Sequence, residues 1–357
     1  MDVTLYKMDS NNRVRLWRIY AEGATIVQEA GLLDGKLVIN KKEATSKNEG
    51  KSNETTPEQQ AISEIESSIK EQLRTGYCVT IQGAKNSEVV LPMLAHSYEG
   101  HKHKIDWNNC FIQPKLDGQR VLAFCKANGD VTLMSRDAKE ILTMGHIKKE
   151  LSAIKKDVIL DGELYNLELG SFQEQMKAIK KYRPGVTEKI NFNIYDVVDK
   201  AQSFNERFQY IQSLMSTFTS SVLKIHETIK VYNENQMVAH HKTYISQGYE
   251  GSIVRWGEES YKVNGRSANL LKYKDFKDMD VTIEDIIPSE QRPTWGQPIF
   301  SLKGKKFSAG MKYSHEDRVD FLVNKEKYIG KKAVLRYFEL SDEGTPRFPV
   351  MVGIRND

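Results

Sequence analysis

Alternating apolar and polar positions mark strands along most of this chain. The run Val14-Arg15-Leu16-Trp17-Arg18-Ile19-Tyr20, with turns at Glu22-Gly23 and Asp34-Gly35, predicts a small antiparallel sheet over residues 1–40. From Asn40 to Thr56 the residues are mostly Lys, Glu, Ser, Asn, Thr and Gly without periodicity, which reads as a mobile loop or linker. Thr56-Pro57 then opens a helix with a capping hydroxyl and a first-turn proline. Ile62, Ile65, Ile69 and Leu73 form its apolar stripe, and Gly76 stops it. From Val89 to Lys277 strands alternate with short helices, and no repeat is visible. Beyond Asp278 come short β runs at Val281-Thr282-Ile283, Phe300-Ser301-Leu302, Ala333–Tyr337 and Val350-Met351-Val352. One helix, from near Ser314 to near Gly330, interrupts them, a pattern that suits a small OB-type barrel.

Bulk composition narrows the class without deciding it. A chain of 357 residues predicts two or three domains, and 39% hydrophobic with 28% charged residues describes a soluble globular protein. No apolar run is long enough to span a membrane, and the N-terminus has no apolar segment of signal-peptide length. Cys78, Cys110 and Cys125 are three cysteines without CxxC spacing, which argues against a disulfide scaffold and a four-cysteine zinc site and makes a reducing cytosol the default. A net charge of +4 is mild. Its distribution says more: between Ser301 and Arg336 ten Lys or Arg meet four Asp or Glu, an excess that fits a face tracking phosphates.

The candidate chemistry centres on Lys115-Leu116-Asp117-Gly118-Gln119-Arg120. Phe111-Ile112-Gln113-Pro114 reads as a short buried strand ended by its proline, and Val121-Leu122-Ala123-Phe124 as the next strand. A lysine beside apolar strands is partly desolvated, which lowers its pKa and frees its amine as a nucleophile. Gly118 is expected to take a positive φ and let backbone approach a ligand. Arg120 has the fork that grips a phosphate or ribose edge. Ser135-Arg136 follows, then Leu160-Asp161-Gly162-Glu163-Leu164, where a carboxylate at a strand end could bind a ribose hydroxyl or Mg²⁺. Phe192–Val198 is a strand carrying Tyr195 beside Asp196, an aromatic that could stack on a base. Tyr249-Glu250-Gly251-Ser252-Ile253-Val254-Arg255 brings a turn glutamate into an apolar strand. Leu270-Leu271-Lys272-Tyr273-Lys274 puts two amines on one side of another. Two ammonium groups on one face repel unless something anionic lies between them.

The ordered series KLDGQR, SR, DGE, YD, EGSIVR, LLKYK resembles the covalent nucleotidyltransferase superfamily. It is nearest to ATP-dependent DNA ligases of the compact viral and phage type, over residues 89–357. The C-terminal Gly344-Thr345-Pro346-Arg347-Phe348-Pro349-Val350 and Arg355-Asn356-Asp357 resemble the ending of the ligase OB domain. Residues 1–85, a sheet, a linker and a helix ending in Gly76-Tyr77, resemble the WGR domain of DNA-repair proteins through Leu16-Trp17-Arg18. The resemblance implies an α+β chain: a small α+β N-terminal DNA-binding domain (1–85), an ATP-grasp-like adenylation (nucleotidyltransferase) domain (86–277) and a C-terminal OB-fold β-barrel (278–357).

It also implies roles. Lys115 would attack the α-phosphorus of ATP and carry AMP to the 5′-phosphate of a nick, which the 3′-hydroxyl then seals. Glu163 would hold the ribose or a metal, Glu250 a metal, and Lys272 and Lys274 the α-phosphate. Arg120 and Arg136 would grip the ribose and the nick phosphate. Tyr195 would stack on adenine, with Gln113 and Ile112 at its polar edge, and Arg355 would orient the leaving pyrophosphate. Asp117 would serve sealing or a metal-bound water. Mg²⁺ is the expected ion, because every candidate ligand is a hard oxygen. The partner would be nicked double-stranded DNA, encircled by a monomer, with no membrane, in the cytoplasm or in a host's cytoplasm if phage-encoded.

Rival readings remain distinguishable. NAD-dependent ligases carry an extra domain and a four-cysteine finger that three scattered cysteines cannot build. Most RNA ligases lack the Arg347-Phe348-Pro349…Arg355 ending. A capping enzyme would use GTP, and a non-catalytic nick-binding module would not need Lys115, Glu163, Glu250, Lys272 and Lys274 intact.

Overall fold

The computed structural model describes residues 1–9, 11–87, 89–290 and 292–355. Asn356 and Asp357 of the last motif therefore lie outside the described residues. The chain divides into two compact units, one of Met1–Met8, Arg13–Ser87 and Asp275–Asp357, the other of Asp9–Asn12 and Glu88–Lys274.

In the first unit the N-terminal strands β1 (Asp2–Met8), β2 (Val14–Glu22), β3 (Thr25–Leu32) and β4 (Val38–Glu43) form an antiparallel sheet in sequence order. The period-two pattern buries Leu5, Trp17, Ile19 and Ile26 against the helix Pro57–Arg74. That helix starts with a reciprocal capping box between Thr56 and Gln59. Its buried face is Ala61, Ile65 and part of Ile69, whereas Ile62 and Leu73 of the expected stripe are exposed at 43% and 42%. The expected linker from Asn40 is strand as far as Glu43. β4 is an edge strand with every residue exposed, held by its ladder to β3 and by Lys42–Glu64. Such a strand leaves no hydrophobic period to read.

Ten strands fill the second unit: β5 (Leu94–Ser97), β6 (Cys110–Lys115), β7 (Gln119–Cys125), β8 (Val131–Ser135), β9 (Val158–Tyr165), β10 (Asn191–Val197), β11 (Leu223–Ile225), β12 (Ile229–Val231), β13 (Gly251–Trp256) and β14 (Arg266–Tyr273). They form two five-stranded sheets, ordered β12-β6-β13-β14-β5 and β11-β10-β9-β7-β8. The helix Glu234–Ser246 shares an apolar cluster with the first sheet, through Met237 and Tyr244 against Cys110, Ile112, Val254 and Leu271. The second sheet buries Val121, Leu160, Leu164, Phe192 and Ile194 with helices Gly145–Leu151, Phe172–Lys180 and Phe204–Met215.

Three local expectations change here. Pro114 does not end its strand. It pairs with Ser252 in β13, and β12 stops at Ile112, so its missing N–H faces a side with no strand. Asp161 and Glu163 sit within β9 rather than at its end. Gly118 has no positive φ. A Cβ there would meet the Leu164 carbonyl at 2.3 Å, so the close approach is to β9.

The remaining strands of the first unit are β15 (Lys277–Pro288), β16 (Gly296–Leu302), β17 (Lys305–Ser308), β18 (Gly310–Met311), β19 (Lys332–Tyr337) and β20 (Val350–Ile354), ordered β17-β16-β15-β19-β20-β18. β15 pairs with β19 through its first half and β16 through its second, which curls the sheet around Ile283, Phe300, Leu335 and Met351. The helix is His315–Val323, shorter than expected. The chain turns back after Asn324, so that Tyr328 stacks on Phe321 at 4.1 Å.

Gly162, in the middle of β9, is the tightest glycine of the second sheet's interior. A Cβ there would lie 2.5 Å from the Asn193 carbonyl and 2.6 Å from the Phe192 ring. Gly162→Ala should cost about 1–3 kcal/mol of stability. Gly145→Ala, whose Cβ meets nothing within 4 Å, should be near neutral. Urea midpoints of the two variants check this.

Candidate active site

Three adjacent strands bring the first cluster together. Lys115 ends β6, Glu250 precedes β13, and Lys274 follows β14, with registers Gly251↔Lys115 and Ser252↔Tyr273. Glu250 is set by its own backbone, whose N–H donates to the Lys115 carbonyl at 3.0 Å. Its side chain then accepts from Lys115 Nζ through Oε2 and from Lys274 Nζ through Oε1. One carboxylate, 4% exposed, thus separates two ammonium groups, of which Lys115 keeps 23% of its side chain open. Burial pushes the Glu250 carboxyl up, but Lys115 and Lys274 outweigh it and hold it below the ordinary glutamate value. Lys274 is pushed below the usual lysine range by burial, partly offset by Glu250. Lys272 is lowered too, by burial first and then by Lys274, Arg266 and Lys115. The anion expected between two ammonium groups is the protein's own, and it joins Lys115 to Lys274 rather than Lys272 to Lys274.

Asp161 and Glu163 share one face of β9, being two residues apart. Arg120 makes a two-pronged pair with Asp161, at 2.9 Å from Nε and 2.5 Å from Nη2, and Asp161 also accepts from Tyr261 Oη at 2.7 Å. The Arg120 fork is therefore engaged inside the protein. Glu163 accepts from Tyr195 Oη at 3.3 Å. Burial drives its carboxyl up to about 7, against the pull of Lys115 and Arg120. The Tyr195 ring has the guanidinium carbons of Arg120 and Arg255 at 5.7 and 5.6 Å from its centroid and the His226 ring edge-on at 6.0 Å.

Another buried carboxylate, Asp196, holds Arg207 at 2.7 and 3.1 Å and Arg255 at 2.5 Å. Although burial raises its pKa, Arg255 and Arg207 bring the net value down. Arg255 Nε also donates to Gln113 Oε1 at 2.8 Å, and Gln113 Nε2 donates to Thr228 Oγ1 at 2.8 Å. Both ends of the Gln113 amide are thus engaged. His226 Nε2 contacts the Pro114 carbonyl at 2.8 Å, and burial lowers the imidazole to about 4, so the ring is neutral and Nε2–H is the donor.

Of the residues named from sequence, Lys115, Glu250 and Lys274 meet directly, and Arg120, Glu163 and Tyr195 cluster on the second sheet. Asp117 lies near enough to Lys274 to favour its charged form. Ile112 is turned away: its side chain is fully buried with Cys110 and Val254, on the face of β6 opposite Gln113 and Lys115. Arg136 is exposed in the turn after β8. Arg355 belongs to the other unit, where its Nε bonds Asp280 at 3.2 Å. Asp161, Asp196, Arg207, Arg255, Tyr261 and His226 were given no role from sequence. Two acids in alternate places of an otherwise apolar strand, Asp161 and Glu163, were the legible signal. His226, in a three-residue-strand neighbourhood, left none.

Comparisons with known proteins agree with this architecture. The ATP dependent DNA ligase domain family model matches residues 92–274, and the DNA ligase OB-like domain model matches residues 295–355. A DNA ligase of African swine fever virus is 26% identical over 334 residues, covering 87% of this chain and 78% of the viral one. The DNA ligase of enterobacteria phage T4 is 27% identical over 304 residues, covering 67% of this chain and 62% of the phage protein. The fold is similar to that of a Lig E DNA ligase described as binding DNA with a minimal scaffold, with a TM-score of 0.62, 19% identity and coverage of 75% of this chain and 100% of that one. Because the ligase domain model spans more than half of the chain and the OB-like model follows it in order, the chain belongs to the ATP-dependent DNA ligase family.

Proposed function

We propose that the protein seals 5′-phosphate/3′-hydroxyl nicks in duplex DNA by way of AMP carried on Lys115. The observation that carries this reading is the Lys115–Glu250–Lys274 cluster, an amine poised at a strand end beside cations suited to phosphate. Lys115 Nζ, once it has given a proton to water and become a free amine, forms a P–N bond to the α-phosphorus while the bond to pyrophosphate breaks, and a second N–H proton then leaves to solvent. The adenylate passes to the nick's 5′-phosphate, and the 3′-hydroxyl displaces AMP. Such chemistry depends on in-line placement and charge neutralisation more than on acid–base groups. Lys272 and Lys274 grip the α-phosphate, which takes over from Glu250 as the anion near Lys274. Tyr195 offers a stacking face, and Gln113 stands on the Lys115 face of β6.

Among the described residues no three His, Cys, Asp or Glu side chains gather as a metal cage. Glu163 and Glu250 fit a Mg²⁺ that arrives on the triphosphate, since this ion is commonly held by one or two carboxylates plus phosphate oxygens. Bound there, the ion would neutralise phosphate charge. Residues 1–85, 86–277 and 278–357 act as three domains, the first and last adding DNA contacts, in a monomer that encircles the nick. No helix among the described residues is long and apolar enough to cross a membrane, and the viral and phage relatives suggest a host cytoplasm as the setting.

Purified protein with ATP and Mg²⁺ should seal a nicked duplex, GTP should not replace ATP, and Lys115→Ala should abolish sealing while nick binding by gel shift persists. Deleting residues 1–85 should weaken nick affinity yet leave the charging of Lys115 intact; a folded truncation that cannot be charged contradicts the domain roles. Glu163 must be ionised to hold ribose hydroxyls or a cation, and the free protein keeps it protonated up to about pH 7. Apparent ATP affinity should therefore rise as pH increases through about 7, with a proton released on binding. In Glu163→Gln that rise should be absent by titration calorimetry.

A further inference from the structure

β6 carries Lys115 and β10 carries Tyr195, and the two strands belong to different sheets. On one side β6 is paired to its end with β13. On the other, β12 stops opposite Ile112, which leaves Gln113, Pro114 and Lys115 without a strand there. The Pro114 carbonyl faces that open side, because the Lys115 carbonyl faces β13, where it accepts from Glu250 N. His226 fills the gap. Its ring Nε2–H donates to the Pro114 carbonyl at 2.8 Å, and its backbone N–H donates to the Ile194 carbonyl of β10 at 2.8 Å. One residue thus bonds the peptide immediately before Lys115 and the peptide immediately before Tyr195.

The surroundings fix His226 itself. It is 6% exposed, and its ring meets the Tyr195 ring edge-on. Two residues later Thr228 Oγ1 donates to the His226 carbonyl at 3.1 Å and accepts from Gln113 Nε2, which closes a loop of bonds along the unpaired edge of β6. The charged group facing the imidazole is Arg255, whose own fork is tied to Asp196 and Gln113. Nothing in this arrangement needs the ring to change charge. What it needs is an N–H donor at that depth.

We propose that His226 is a positioning residue for nucleotidyl transfer: by spanning the seam between β6 and β10 it sets the distance between the Lys115 amine and the Tyr195 stacking face. It touches neither in a bond-making role. The inference rests on Lys115 being the nucleophile, as proposed above. A nucleophile displaced by about an ångström can lose on the order of a hundredfold in rate, so removal of the seam bond should slow chemistry while leaving ATP binding largely intact.

The test is single-turnover labelling of the full chain with α-labelled ATP and Mg²⁺, followed across ATP concentration. His226→Leu fills the space without a donor, His226→Gln can place an amide N–H near the lost Nε2–H, and His226→Asn keeps polarity but falls short of the Pro114 carbonyl. Expected are a drop of about tenfold to a hundredfold in the saturating rate for Leu and Asn, a half-saturating ATP concentration changed less than threefold or so, and recovery to within several-fold of wild type for Gln. If the Leu variant does not fold, the Gln-to-Asn comparison carries the same distinction. Folded Leu or Asn variants that label at the wild-type rate overturn the proposal. So does a Gln variant as slow as Asn, which would mean that shape rather than the donated bond matters. A wild-type protein that takes no label on Lys115 removes the underlying reading and this one together, whereas wild-type label with indifferent variants removes this one alone.

Discussion

A single buried carboxylate organises the centre of this protein. Glu250 is fastened by its backbone to the carbonyl of Lys115 and by its two oxygens to Lys115 and Lys274. Bringing three charged groups into partly buried positions is costly unless each is paired, because desolvation penalises every charge left alone. Glu250 satisfies both amines at once, so β6, β13 and β14 have one arrangement in which no charge is stranded. Burial lowers the proton affinity of Lys272 and Lys274, while Lys115 stays partly open.

Around that centre the second sheet repeats the logic at greater depth. Asp161 and Asp196 are fully buried, and each is paired with arginine and engaged in further hydrogen bonds. Truncating one partner of such a network leaves an uncompensated charge, which is why these groups hold Arg120, Arg255, Gln113 and the surroundings of Tyr195 in fixed positions. Rigid support of this kind suits a reaction whose catalysis lies mainly in placement.

Much of this was legible in the chain. The order KLDGQR, SR, DGE, YD, EGSIVR, LLKYK resembles the family's motif series, and several of these strings couple a polar group to an apolar run whose period fixes its face. Other features carried no such signal. β4 has no buried face, so nothing distinguished it from a linker. The resemblance implies Ile112 at the polar edge of a base, yet period-two alternation turns its side chain to the core face, opposite Lys115. Gly118 invites a positive φ and a ligand's approach, whereas its small size serves contact with β9, a long-range fact outside local sequence. His226 matters through two bonds to residues 112 and 32 positions away, and no motif encodes those. Residue types and faces can be read locally; which buried polar group finds which partner depends on how the sheets meet.

The central claim, that Lys115 is the group that receives AMP, is tested most directly by identifying the adduct. The protein, first stripped of any carried nucleotide with pyrophosphate, would be incubated with ATP and Mg²⁺ and, separately, with GTP, then digested and mapped by mass spectrometry. The account predicts one adenylyl group, from ATP alone, on the peptide holding Lys115. An adduct on another residue, an adduct from GTP instead of ATP, or none from folded protein would contradict it.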